Sequence, residues 1–195
     1  MFFFAKPNKS GQGLVETVVA LGIIIAALTA GIGLAVSSLI GSEQTLSMVV
    51  ATNLAREGIE VVRNVRDTNW LTPANTWNAG LTSAADATAT TVFNPATGAW
   101  TIDFTPNDLA GCTADKSCKL YVGDDYAYTH TPAGRQETMY SRLLTLNKVC
   151  QDGQILSECP PINPQIGFEV VSTVFWNERG RDHTVVIKEY LYNWK

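Results

Sequence analysis

The amino-terminal part of the chain is dominated by one long apolar run. It extends from Leu14 to Ile40 and contains a single charged residue, Glu16. About 20 consecutive apolar residues are enough for a helix to cross a bilayer, so this run predicts a membrane-spanning helix. A carboxylate within the hydrocarbon costs on the order of 2.5–3.5 kcal/mol, which indicates that Glu16 has a specific role there.

Beyond Gly41 charged residues return, but apolar residues keep a helical spacing. The stripe they form comprises Leu46, Val50, Leu54, Val61 and Val65, widened by Ala55, Ile59 and Val62. Such a stripe predicts an amphipathic helix with one face on a globular domain. We therefore expect one helix from about Leu14 to about Asp67. Its first half, residues 12–40, would lie in the membrane and its second half, residues 41–67, on the domain.

The rest of the chain has the pattern of a loop followed by short strands. Residues 68–98 contain turn-forming residues and a Thr/Ala/Ser tract, and they predict a loop. Within the β-rich region, residues 99–195, the strand candidates are Trp100–Phe104, Leu120–Tyr128, Tyr140–Val149, Phe168–Trp176 and Thr184–Trp194. We expect the last three to pair as an antiparallel meander. The expected fold class is α+β, with the long amino-terminal helix packed on an antiparallel sheet.

The distribution of charge indicates an orientation in the membrane. Lys6 and Lys9 precede the apolar run, and the first charge after it is Glu43. The positive-inside rule then places the amino end in the cytoplasm and the remaining chain across the membrane. The run is too long for a secretory signal peptide, so a plain membrane anchor is the simplest alternative. With a net charge of −4, the chain has no basic surplus that would indicate a nucleic-acid partner.

The four cysteines all follow the membrane segment, at Cys112, Cys118, Cys150 and Cys159. Their spacings do not fit a structural zinc site, whose ligand pairs are usually two to four residues apart. Outside the cytoplasm an even number of cysteines indicates disulfides. Three pairings are possible, and we favour the local ones, 112 with 118 and 150 with 159, because each closes a turn-rich loop.

No catalytic motif is found in the sequence. His130 and His183 have no motif around them, and both are expected to be solvated surface residues. Asp124 and Asp125 are candidates for calcium ligands, but the oxygen ligand set around them is incomplete and a plain acidic turn is the favoured explanation. We therefore expect no enzyme activity, no metal and no cofactor.

The residues around Gly11 resemble the processing site of type IV prepilins and type II secretion pseudopilins. Members have a basic leader, a Gly before the cut, an aliphatic pair, a Glu as fifth mature residue and an unbroken apolar helix. The matching residues here are Lys6, Lys9, Gly11, Leu14, Val15 and Glu16. The resemblance implies a leader, residues 1–11, that is removed by a prepilin peptidase, and N-methylation of Gln12. Gln12 itself departs from the pattern, since Phe is usual at this place.

The resemblance also implies a structural role and a set of partners. The chain would be inserted in a bacterial inner membrane with its head outside the cytoplasm. It would then pass through an inner-membrane assembly platform into a cell-surface filament. Its partners would be other pilin subunits, the peptidase and membrane lipid, and Glu16 would pair with the amine of a neighbouring subunit. The segment Asn53–Glu60 resembles minor pilins and minor pseudopilins in particular.

Two other interpretations remain open. Pseudopilins of tight-adherence systems also begin with Gly-Gln-x-Leu-Val-Glu, although the long soluble helix and β-rich head favour the first family. The chain could instead be a membrane-anchored binding module or adhesin that does not polymerise. In that case Trp70, Trp77, Trp100 and nearby Thr and Asn side chains would contact a glycan or another partner. Cleavage of the leader and presence in filaments would distinguish these possibilities.

Overall fold

The computed structural model describes residues 10–83, 87–94, 96–104 and 108–194. The chain divides into two compact units, Met1–Ser47 and Met48–Lys195. The first helix, α1 (Ser10–Leu71), supplies all described residues of the first unit and continues into the second. It begins before the predicted Leu14 and ends after the predicted Asp67. The sequence allows this greater length, because no proline between Ser10 and Leu71 interrupts the helix.

The second unit, the head domain, combines the last part of α1 with a β-sheet and a short helix. The sheet strands in the described part of the chain are β1 (Thr88–Asn94), β2 (Ala99–Asp103), β3 (Lys119–Val122), β4 (Tyr128–Thr129), β5 (Gln136–Cys150), β6 (Ile155–Leu156), β7 (Gln165–Glu178) and β8 (Arg181–Tyr192). The short helix is α2 (Leu109–Ala114). All strand pairs are antiparallel, so the predicted α+β class is confirmed.

Strand β5 is the centre of the sheet. One of its edges pairs with β7, from Tyr140 opposite Trp176 to Cys150 opposite Gln165. Its other edge pairs in succession with β3, β1 and β6. Strand β8 then pairs with β7 along its whole length, which confirms the predicted meander of the three long strands. Arg179 and Gly180 form the tight turn between β7 and β8, both with positive φ.

The prediction of a loop over residues 68–98 was wrong at both ends. Helix α1 extends to Leu71, and β1 occupies Thr88–Asn94, where it pairs with β2 and with β5. The Thr/Ala tract that suggested a loop buries Ala89, Thr90 and Thr91 almost completely. Small and β-branched residues suit a buried strand, and the partner that covers the first residues of β1, strand β5, is distant in sequence.

Helix α2 was also absent from the sequence interpretation. The side chain of Asp108 caps it by accepting a hydrogen bond of 2.7 Å from the backbone N–H of Gly111. The helix packs through Leu109 and Cys112 against Leu143 of β5. Because side chains alternate along a strand, Leu143 lies on the sheet face opposite its neighbour Arg142. The sheet is therefore covered on one face by α1 and partly on the other by α2.

The hydrophobic core lies between α1 and the sheet. Near the middle of the sheet, Ile59 and Val62 of the helix are buried against Leu144, Phe168 and other strand residues. A second cluster joins the helix residues Ala51, Leu54 and Ala55 to Leu120, Tyr140, Val174, Trp176 and Val185. The predicted apolar stripe is thus confirmed from Val50 onward, whereas Leu46, which belongs to the first unit, is exposed.

A fully buried arginine links the helix to the sheet. Arg142 of β5 donates hydrogen bonds of 2.9 Å to the backbone carbonyl of Leu54 and 2.7 Å to Oγ1 of Thr91. Its guanidinium also lies 3.4 Å from a carboxylate oxygen of Glu57. Burial lowers the pKa of Arg142, and the Glu57 charge opposes that shift. A buried charge is tolerated only when it is paired and hydrogen-bonded, so these contacts determine where the helix can lie.

Gly58 lets the helix approach the sheet beside this arginine. A Cβ atom built on Gly58 would lie 2.9 Å from Cδ2 of Leu144, 3.0 Å from Oγ of Ser172 and 3.2 Å from Cδ of Arg142. Leu144, Ser172 and Arg142 are themselves fully buried, so their side chains have little room to move. Gly58 is therefore needed for close packing, at a place where a helix otherwise disfavours glycine.

We predict that Gly58→Val lowers the free energy of unfolding of the head by about 1–3 kcal/mol, the usual cost of overpacking. The measurement is chemical or thermal unfolding of the full chain in detergent, followed by near-ultraviolet circular dichroism. Gly41→Val is the matched control, since a Cβ there meets no described atom within 4 Å. Equal stability of the Gly58 variant and the native chain would show that the contact is not tight.

Candidate functional site

The first part of α1 presents an apolar surface with no cover from the described protein. Leu14 and Val15 are 70% and 63% exposed, and the large apolar residues that follow are similarly open. These are Val18, Val19, Leu21, Ile23, Ile24, Ile25, Leu28, Ile32, Leu34, Val36 and Leu39. In the described part of the chain, α1 is the one helix long and apolar enough to cross a membrane. The helix is therefore compatible with membrane anchoring.

Glu16 is a charged residue in this surface that has no hydrogen-bond or ion-pair partner within the described helix. The hydroxyls of Thr17 and Thr29 donate hydrogen bonds to the helix carbonyls of Gly13 and Ile25, at 2.8 and 2.9 Å. The carboxylate of Glu16 forms no ion pair or hydrogen bond with the residues that the structure describes. In a membrane the cost of this charge favours a partner of opposite charge.

The other residues of the predicted processing site are only partly within the described chain. Lys6 and Lys9 lie outside the described residues. Gly11 and Gln12 lie in the first turn of α1, and nothing is described of their side chains. The proposed scissile bond thus belongs to the first helical turn.

Both disulfides in the head are the local pairings that the sequence favoured. Cys112 of α2 is joined to Cys118, just before β3, and Cys150 at the end of β5 is joined to Cys159. The first pair is buried with Leu109 and Leu143, so it fixes α2 to the sheet. Each bridge closes a short loop, and such closure stabilises a domain by roughly 2–3 kcal/mol.

The two histidines are not the solvated surface residues that the sequence suggested. Nε2 of His130 is enclosed, while its Nδ1 lies 3.2 Å from the carbonyl oxygen of Lys119, to which the neutral ring donates. Burial, assisted by the nearby Arg142 charge, lowers the pKa of His130 to about 3. His183 stacks on Trp176 with ring centroids 5.1 Å apart. Packing contacts, which have no local sequence signal, explain both differences.

The calcium candidates lie in an acidic turn that is closed by an arginine. Both carboxylate oxygens of Asp125 accept hydrogen bonds of 3.0 Å from Arg135, and Asp124 is exposed. The bond to Arg135 holds the pKa of Asp125 below its usual range. Within the described ranges no group of three or more His, Cys, Asp or Glu residues is placed to hold a metal ion. The geometry supports the interpretation of a plain turn.

The tryptophans singled out in the sequence lie in different surroundings. Trp77 is half-buried and packs on Phe168 of the core, at 5.4 Å between ring centroids. Trp70 belongs to the last turn of α1 rather than to a loop, and it contacts Trp194 at 4.6 Å. Trp100 lies on β2 and lines a cleft beside α1. The structure therefore does not form a single platform from Trp70, Trp77 and Trp100.

Comparison of the chain with protein-family models, with curated proteins and with solved structures gave no match.

We predict that the head loses stability as the pH falls from 7 to 5, because of His130. The unfolded imidazole takes up a proton near pH 6.5, whereas the folded one does so only near pH 3. Above pH 6.5 His130 is neutral in both states and does not reduce the free energy of unfolding. As the pH falls from 6.5 toward 3, protonation favours the unfolded state, so the free energy of unfolding decreases. The loss between pH 7 and pH 5 is at most about 2 kcal/mol.

The measurement is the free energy of unfolding of the full chain at pH 7, 6 and 5, compared with His130→Gln. This variant has no imidazole at position 130, so its stability should change less over the same interval. The carboxylates of Glu137 and Glu169 titrate at lower pH, since Lys116 and Lys188 depress their pKa values. An identical pH dependence in the two proteins would show that His130 is not the responsible group.

Proposed function

We propose that the protein is a prepilin-like structural subunit, a minor pilin or minor pseudopilin. It is cleaved after Gly11 and enters a type IV pilus or secretion pseudopilus through the first part of α1. The observation that carries the proposal is the position of Glu16. It is the fifth residue after Gly11 and the single charge in an apolar helical surface without cover from the described protein.

The chemistry of cleavage explains why this position matters. A cut after Gly11 creates a new amine on Gln12, close in sequence to Glu16 and near the membrane surface. In a filament of parallel helices the amine of one subunit can neutralise the carboxylate of its neighbour, which removes the cost of a lone charge in an apolar layer. An uncleaved chain lacks this amine. Processing is thereby linked to assembly.

The exposed apolar surface of α1 supplies the attraction between subunits. In the bilayer it is covered by lipid, and in a filament it is covered by the equivalent helices of other subunits. Association of such helices depends on close packing, since lipid tails are as apolar as leucine. Gly22, Gly31 and Gly33 lie in this stretch and allow helices to approach one another closely.

The head has properties that suit the proposed location outside the cytoplasm. It contains two disulfides, which persist in oxidising compartments and are rare in the cytosol. Its core is complete around α1 and the sheet, so it can fold before assembly. The proposed route is therefore insertion in a bacterial inner membrane, cleavage, and transfer to the filament by an assembly platform.

A membrane-anchored binding module that does not polymerise is the second candidate. The observation that favours it is the cleft beside Trp100, which is open to solvent and lined by Asn and Thr side chains. The two candidates differ in whether the chain is cleaved and found in filaments. A minor subunit can also bind a ligand, so a binding activity alone does not exclude the first.

We predict that Glu16→Gln reduces incorporation into filaments by about tenfold, the factor that corresponds to loss of a 1.4 kcal/mol interaction. The amine of the neighbouring subunit then has no carboxylate to pair with, while the head domain is unaffected. The measurement is the amount of epitope-tagged chain in sheared surface filaments of the native host, relative to the amount in its membranes.

The matched control for this experiment is Glu43→Gln, which removes the next carboxylate along α1 but lies beyond the apolar run. It should be incorporated like the native chain. Normal incorporation of Glu16→Gln, with intact membrane insertion, would contradict the proposed role of Glu16.

A further inference from the structure

A cleft of about 730 Å³ lies in the head between the end of α1 and the β1–β2 hairpin. A smaller hollow of about 400 Å³ lies farther back along the same helix, and Asn64 and Trp100 line both spaces. The proposed filament role does not use these surfaces.

One wall of the cleft comes from the helix and the other from β2. Asn64 and Thr68 are exposed and lie one helical turn apart on the same face of α1. Opposite them, Trp100 and Ile102 share one face of β2, because they are two residues apart in a strand. Ile102 packs into the core, so the floor is apolar. Phe93 contacts Trp100 at 4.9 Å and supports the indole from β1.

The hydrogen-bonding groups in the cleft are of two kinds. Asn69 is committed to the fold, since its amide donates to the carbonyls of Trp77 and Ala79 and accepts from Asn75. Asn69 thereby fixes the chain segment that follows α1, at one end of the cleft. The side chains of Asn64 and Thr68 form no hydrogen bond with the residues that the structure describes, and both remain available to a ligand.

The charge of the lining restricts the ligand further. None of the described residues that line the larger space is charged; its polar side chains are those of Asn64, Thr68, Asn69, Asn75, Thr97 and Thr101. Among the described residues that line the smaller hollow, Glu57, Glu60 and Asp67 are acidic and Arg63 is the one cation. An anionic ligand such as a nucleic acid would meet no compensating charge in the first space and repulsion at the second.

We infer that this cleft binds a neutral saccharide. A sugar ring has an apolar face that can lie on the indole of Trp100, and hydroxyl groups that both donate to and accept from amides and hydroxyls. The uncharged lining, the supported aromatic ring and the available side chains of Asn64 and Thr68 fit that chemistry together. The inference does not depend on cleavage or polymerisation, so either proposal can fail without the other.

The test is titration of the full chain with neutral oligosaccharides: chitotetraose, cellotetraose, maltotetraose and mannotetraose. The detergent must have no sugar head group, and lauryldimethylamine oxide meets this condition. Isothermal titration calorimetry and tryptophan fluorescence give the affinity for each probe. We expect at least one neutral probe to bind, and a heparin tetrasaccharide, which is anionic, not to bind.

Two substitutions test whether the saccharide binds in the cleft. Trp100→Ala removes the aromatic face, and Asn64→Arg puts a long charged side chain into the open space from an exposed helix position. Each should weaken binding by at least about tenfold, the effect of 1.4 kcal/mol. Asn53→Arg is the matched helix control, because Asn53 is exposed and lies about three turns earlier, outside the cleft. Trp194→Ala controls for loss of an exposed tryptophan elsewhere.

Binding of a neutral probe that is lost in both cleft variants and kept in both controls supports the inference. Failure of every neutral probe to bind the native chain would overturn it. Binding that survives Trp100→Ala and Asn64→Arg, or that is found only with the heparin fragment, would overturn it equally. A neutral extended peptide that binds in the cleft where all saccharides fail would assign the site to a different class of ligand.

Discussion

The structure depends on one constraint, which is that a single continuous helix must satisfy two different surroundings. From Gly13 to about Ile40 its side chains are apolar on every side and have no cover from the described protein. From Val50 to Trp70 one apolar stripe is buried against the sheet and the exposed positions are mostly polar. The first pattern suits lipid or other helices, and the second suits a head domain in water. Glu16 is the exception to the first pattern, and the proposed function follows from that exception.

The second part of the helix is held at a defined position by polar contacts as well as by apolar packing. Arg142 fixes the helix backbone through the carbonyl of Leu54, and its charge is accompanied by Glu57. Gly58, the residue after Glu57, removes the side chain that would prevent this approach. The segment around residue 58 therefore has a clear structural use in this head.

Sequence patterns predicted the elements whose signals are local. The helical stripe and the three long strands follow from periods that a short window contains, and the local disulfides from cysteine spacing. Strand β1 was missed because Ala89 and Thr91 are buried by residues far along the chain. The burial of Arg142 and His130 could not be predicted from the sequence either, since a lone cation or imidazole in a strand-rich region is usually exposed. The processing site read from the linear sequence stays a prediction, whereas the Trp100 cleft depends on tertiary structure and could not be predicted from the sequence.

The central claim is that the chain is a prepilin, and its mature amino terminus tests that claim most directly. The full chain would be expressed with a prepilin peptidase, beside Gly11→Val, and analysed by intact-mass and peptide mass spectrometry. The account predicts a new terminus at Gln12 that carries a methyl group and is absent from the Gly11→Val chain. The same spectra distinguish a methylated amine from a cyclised Gln12, which has lost ammonia and carries no charge. A native chain that retains residues 1–11 in the presence of active peptidase would contradict the account.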